Sequence, residues 1–283
     1  MERLNNISIL ARDLYNKQNI VKIDEEYILR LKFDKNDIKV PTLDSELLPF
    51  NTFLYHITVN AINYCYWQGS FDYRPNGMDS LKTSQLLLKY FRNHNNNSGY
   101  DLLKHDIKKA LRLSGITLLE ERTKHIDEIF DNINILEQYF KRNRDNLDAL
   151  SIVEFLVENF DTYASDLFLK RAQLMPALLN REPSIKVSNL DKLLIPIDYQ
   201  IPKILHILGV LEYSHYLVDD IQNGNIIHKN SREEMAIRSA SIIATNKIME
   251  IHNLTAIELD YFLIMRAKHY SDFQHHLTLT TEY

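Results

Sequence analysis

Apolar residues recur along most of this chain at the three-to-four-residue spacing of one face of a helix, and the breaks between such stretches are short. From Phe53 to Trp67 nearly every position is apolar, as in a buried helix or core element. Gln68–Asp79 carries Gly69, Pro75, Asn76 and Gly77 and reads as a loop or short hairpin, and the polar run Asn93–Gly99 as a surface loop. Leu102, Leu103, Ile107, Ala110 and Leu111 fall at helical spacing, with Gly115 as a stop. Thr117 and Glu120 have capping-box spacing for a long helix toward Lys141, and Leu147–Phe160 is a further amphipathic helix. Asp166 can cap a helix carrying Phe168, Leu169, Ala172 and Met175, which Pro176 bends or ends. Pro202 opens Ile201–Leu208, closed by Gly209, and Ser214 caps a short helix ending at Gly224. Ser231 and Glu234 start a helix toward His252, Thr255–Lys268 forms another, and Gln274–Tyr283 reads as a polar tail. The fold class is therefore all-α, with a minor β element near the N-terminus at Val21–Ile23 and Tyr27–Phe33. No repeat or linker divides residues 1–283, so a single domain is expected.

Composition narrows the chemistry. Only 6 glycines argue against phosphate-binding Gly-rich loops and dinucleotide folds, while 16 tyrosines make aromatic, hydroxyl-bearing pockets easy to build. A net charge of −5 and a pI near 6.1 disfavour direct nucleic-acid binding, which needs a basic footprint. The sequence shows neither a signal-peptide apolar core nor a membrane-length apolar run, so a cytoplasmic location without membrane attachment is expected. The single cysteine, Cys65, excludes an internal disulfide and reads as a small core residue. Nucleophile-elbow, Walker and zinc-protease motifs are absent, and the adjacent His275-His276 lacks metal-ligand spacing, so no metal or organic cofactor is expected.

Three segments place polar groups in apolar surroundings. Asn63-Tyr64-Cys65-Tyr66-Trp67 could stack on and hydrogen-bond a planar base, or simply end a core helix. Lys170-Arg171 lies in an apolar helix, where at least one cation should meet a protein carboxylate or a ligand phosphate. Asp198, in an apolar segment before the Pro202 helix, is either a turn-former or a carboxylate held for use in a pocket.

These segments resemble, in order, the queuosine-salvage family. Its Asn-Phe-Cys-Phe-Trp-like element stands here as Asn63–Trp67, its Tyr-Lys-Arg-Ala-Gln-Ile-Leu as Leu169–Leu174, and its Phe-Ala-Asp-Tyr-Arg-Val-Pro-Gln as the stretch through Ile197–Lys203. Leu118–Arg122, Gly209–Ser214 and Ser231–Arg238 also match, so the resemblance runs from about Phe53 onward and only weakly over residues 1–52. It implies a compact helical fold similar to helix-hairpin-helix DNA glycosylases, and hydrolysis of the base–ribose bond of queuosine 5′-phosphate or queuosine to release queuine for salvage into tRNA. It also implies Asp198 as the catalytic carboxylate, with Asn63, Tyr66, Trp67, Lys170, Tyr199, Arg238 and His276 around a small-molecule nucleotide or nucleoside. The rival expectations are an N-ribosyl hydrolase for another modified nucleoside and a catalytically reduced base-binding protein.

The chain departs from the family pattern in its cations. Arginine of Asp-Tyr-Arg is Gln200, glutamine of Val-Pro-Gln is Lys203, and the final His-Arg-Thr-Arg-x-x-Tyr-Tyr becomes His276–Tyr283 without either arginine. Lys170, Arg171, Lys203 and Arg238 remain as candidates for a phosphate. Lys170 is the first choice, and Arg171, about 100° around the helix, is expected to pair structurally.

Overall fold

A computed structural model describes residues 2–33, 38–95, 99–270 and 272–283, with Lys268 described in its backbone only. Part of the loop expected at Asn93–Gly99, residues 96–98, lies outside that set. Fourteen α-helices occur among the described residues. The N-terminal part comprises α1 (Glu2–Asn16), strand β1 (Val21–Ile23), α2 (Glu25–Arg30), α3 (Pro49–Ala61), α4 (Ser80–Asn93) and α5 (Tyr100–Ser114). The middle holds α6 (Leu119–Asp131), α7 (Ile133–Asn143), β2 (Leu147–Asp148), α8 (Ala149–Asn159), α9 (Asp161–Ala164), α10 (Lys170–Leu179) and β3 (Val187–Ser188). Last come α11 (Gln200–Ile207), β4 (Leu211–Tyr213), α12 (His215–Gln222), α13 (Arg232–His252) and α14 (Ala256–Ala267). None of the helices is long and apolar enough to cross a membrane.

The expected strand at Val21–Ile23 exists and pairs antiparallel with β4, Val21 opposite Tyr213 and Ile23 opposite Leu211. Tyr27–Phe33 departs from expectation: it is helical through Arg30. The Asp24 carboxylate accepts the backbone N–H groups of Glu26 and Tyr27, and two glutamates fill the first turn, so end signals override β propensity.

α3 is the central helix. Pro49 starts it, all residues from Asn51 to Ala61 are buried, and α10, α4, α6 and α7 pack around it. The long helix expected from Thr117 is two helices, broken at Asn132, and Thr117 does not cap it. Thr117 Oγ1 instead donates to Cys65 O at 2.6 Å, and Leu118 takes the left-handed conformation before α6. α10 runs past Pro176 to Leu179, so the proline neither ends it nor removes more than one intrahelical bond. Ser231 caps α13 as expected, its Oγ accepting Glu234 N at 3.2 Å. Ser214 precedes α12 but makes no capping bond.

The polar tail is the largest departure. His275–Thr278, Thr280, Glu282 and Tyr283 are buried rather than solvated. Ile227 N donates to Leu277 O at 2.8 Å, Cys65 N to Tyr283 O at 3.2 Å, and the Tyr283 hydroxyl to Glu234 Oε1 at 2.8 Å. Long-range partners thus tie the tail into the core through part of its backbone and the Tyr283 hydroxyl, while His275 Nε2, His276 Nε2 and Thr278 Oγ1 are buried without a hydrogen-bond partner among the described residues.

Candidate active site

A cavity of about 570 Å³ opens where the turn after α3, the loop before α4, the starts of α10 and α11, the end of α14 and the tail converge. That size suits a nucleotide-scale ligand. Asn63, Tyr66, Lys170, Asp198 and Tyr199 all line it.

Asp198 owes its position to the start of α11. Its Oδ1 accepts Gln200 N at 2.7 Å and, more weakly, Ile201 N at 3.4 Å, while no described group donates to Oδ2. The two readings of this residue are thus compatible: one oxygen forms the turn and the other remains available to the cavity. Lys170, 4% exposed, begins α10. Asp166 fixes that start, accepting Lys170 N at 2.7 Å and Phe168 N at 3.1 Å. Burial lowers the Lys170 pKa, and Asp198 is the strongest influence raising it again. Asp260 on α14 also acts on both groups. It is raised to about 7, first by desolvation and then by repulsion from Asp198. The spacing of Ala256–Ala267 reads as an ordinary packing helix, so nothing local marked Asp260.

Aromatic rings form the walls. Tyr66 donates to Asn63 Oδ1 at 3.1 Å, and Tyr199 stacks on His275 with centroids 4.2 Å apart. Asn63–Trp67 is an irregular turn rather than a helix end, with Cys65 at positive φ. Arg122 holds the turn, donating to Ile62 O, to Tyr64 O at 2.6 Å and to Cys65 O at 2.9 Å. Arg171 donates to Ala61 O and to Thr162 O and Oγ1. Its role is structural, as expected, but carbonyl oxygens replace the anticipated carboxylate partner. Two buried arginines therefore satisfy the open carbonyl end of α3, where the helix dipole favours cations.

Three residues expected around the ligand lie outside the cavity lining. Trp67 is 1% exposed and packs with Tyr64, Cys65 and Leu277. Arg238 is consumed by Asp166 and Glu234 and sits over the Tyr283 ring at 4.2 Å. His276 is 2% exposed, with burial lowering its pKa to about 3, and lines a neighbouring chamber of about 110 Å³. Trp67 and His276 sit beside Tyr66 and His275, which do line the cavity, whereas α13, which carries Arg238, contributes no lining residue.

Arg74, Asp72, Gln200, Lys203, His275 and Tyr283 also line the cavity. Arg74 grips Asp72 through Nε at 3.0 Å and Nη2 at 2.8 Å. His275 Nε2 lies 3.3 Å from Asp72 Oδ2 without hydrogen-bond alignment, and this cluster depresses Asp72 to about 2 against the cost of its burial. No group of three metal-ligating side chains occurs among the described residues.

A family model described as queuosine salvage protein matches residues 48–283. A queuosine 5′-phosphate N-glycosylase/hydrolase of Nematostella vectensis is 30% identical over 192 residues, covering 58% of this chain and 54% of that protein. The similarly named protein of Dictyostelium discoideum is 25% identical, covering 96% of this chain and 90% of the relative. That of Sphaerobacter thermophilus is 24% identical over 74% of both chains.

Proposed function

The chain belongs to the queuosine salvage protein family, and we propose on that premise that it hydrolyses the N-glycosidic bond of queuosine 5′-phosphate, releasing queuine and ribose 5-phosphate. The observation carrying this reading is the unengaged Oδ2 of Asp198 in an aromatic-walled cavity of nucleotide size.

As the base departs with the electron pair of the C–N bond, positive charge develops on the ribose. A carboxylate fixed by two backbone N–H groups stabilises that charge without reorganising. Water adds its oxygen to the anomeric carbon and gives up a proton, which Asp198 can accept, while the base gains a proton overall. A 7-deazapurine has carbon at position 7, so protonation there cannot assist departure and electrostatic stabilisation of the sugar carries more of the barrier. Tyr66 and Tyr199 flank the base, with Asn63 held against the Tyr66 hydroxyl. Lys170, at the start of α10, faces the same cavity, and the Asp198 charge is the strongest influence favouring its charged form. Trp67, Arg238 and His276 support these residues from behind. We place the activity in the cytoplasm, with a modified nucleotide as the partner.

The purified protein, incubated with queuosine 5′-phosphate and separately with queuosine, should release queuine detectable by liquid chromatography and mass spectrometry. Absence of queuine from both, with the protein folded, rejects the hydrolase. Retained binding in that case would favour a base-binding protein.

A further inference from the structure

Deepening the hydrolase reading and resting on it, we infer that the 5′-phosphate is held by a corner of Lys203 and Arg74 that replaces the arginine this chain lacks after Tyr199. Both side chains line the cavity. Positions 200 and 203 lie three residues apart on α11 and so share a face. Where the family pattern has arginine then glutamine, this chain has Gln200 then Lys203, so the cation has moved about 4.5 Å along one helix without leaving the cavity.

Charge distribution selects this corner over Lys170. The cavity is lined by three cations, Arg74, Lys170 and Lys203, and three carboxylates, Asp72, Asp79 and Asp198. The Lys170 ammonium makes no hydrogen bond or ion pair among the described residues, but three carboxylates, Asp198, Asp260 and Asp166, act on it as opposite charges. Arg74 is committed to Asp72 through Nε and Nη2, which leaves its Nη1 edge without a protein acceptor among the described residues. Lys203 is 8% exposed, yet no hydrogen bond or ion pair engages its ammonium among those residues. Its opposite charges are Asp72, already neutralised by Arg74, and the more weakly acting Asp272. A buried, unengaged lysine aimed into a cavity is costly unless an anion arrives there. Burial lowers its pKa, and a phosphate beside it would favour its charged form.

Lys203 lies in the first turn of α11 and Asp198 just before that helix, and both line the cavity. A ribose with its anomeric carbon at the carboxylate and its 5′ end turned toward the lysine would put the phosphate in this corner.

The test exchanges the two helix positions. Lys203→Gln should raise KM for queuosine 5′-phosphate about ten- to a hundredfold, the range for losing a charge-assisted hydrogen bond, and much more than for queuosine. Adding Gln200→Arg should recover most of that loss. Calorimetry with ribose 5-phosphate supplies a readout independent of turnover: the wild type should bind it and Lys203→Gln should bind it at least about tenfold more weakly. Equal weakening of both nucleoside forms, or unchanged ribose 5-phosphate affinity in the variant, overturns the corner. If neither queuosine nor its phosphate is hydrolysed, the hydrolase reading falls while the calorimetric comparison still decides the anion site.

Discussion

Arg238 and Asp166 face each other as a two-pronged ion pair in the core, Nη1 to Oδ1 and Nη2 to Oδ2 both at 2.9 Å. Each is at most 3% exposed. Asp166 at the same time accepts the N–H that begins α10, so this pair stands directly behind Lys170. Arg238→Met should destabilise the protein by about 3–5 kcal/mol, because it strands a buried carboxylate. Urea unfolding would register it as a lower midpoint. Arg238→Lys should recover only part, since an ammonium cannot make the two parallel bonds. A loss below about 1 kcal/mol would show that the carboxylate is relieved in another way.

Asp198→Asn separates turn-forming from chemistry. Asparagine keeps an oxygen to accept Gln200 N, so α11 should start as before and thermal unfolding should be nearly unchanged. The charge proposed to face the ribose is lost, and turnover should drop at least roughly a hundredfold. Near-normal release of queuine by the folded variant would remove Asp198 from the reaction.

Asp260 predicts a pH dependence of stability with a definite sign. Its folded pKa is near 7, above the ordinary carboxylate value, so the folded state holds a proton that the unfolded chain has released. Stability must then fall as pH rises between about 4 and 7 on account of this group, and the penalty is constant above that. Asp260→Asn should gain stability relative to the wild type across the same window. Denaturant midpoints measured from pH 4 to 8 would give a growing difference, and a flat one would place the carboxylate in its ordinary range.

Tyr283 combines a buried hydroxyl with a ring under Arg238. Tyr283→Phe should cost about 1.5–3 kcal/mol through the lost hydrogen bond to the charged Glu234 oxygen, which keeps Arg238 Nη1 at 3.3 Å, whereas Tyr283→Ala should cost more by also emptying the ring's volume. Equal losses in chemical denaturation would contradict that division.

Local signals carried much of this architecture. The cap at Ser231, the stop at Gly115 and the amphipathic stripes of α5, α8 and α14 depend on neighbours within a turn or two, and they appear where spacing predicts them. Asp198 also stood out, because a charged residue in an apolar segment demands an explanation. What could not be read from spacing depends on partners far along the chain. Asp166 and Arg238 are 72 positions apart, and Tyr283 and Glu234 are 49 apart. A polar tail and a core strap have the same composition until such partners are known. Arg122 shows the complementary case: nothing in its Glu-Glu-Arg context marks it for burial, yet it is buried against backbone carbonyls.

The docking of α1 along α13 has a consequence for synthesis. About 200 residues separate the end of the first helix from the start of the second, so at roughly 5–20 residues per second the ribosome needs on the order of 10–40 s to deliver the partner. Throughout that interval the stripe of Leu4, Ile7 and Ala11 has no surface of its own to cover it. The nascent chain therefore carries an apolar stripe without its partner for most of its elongation, the kind of transiently exposed surface that chaperones cover.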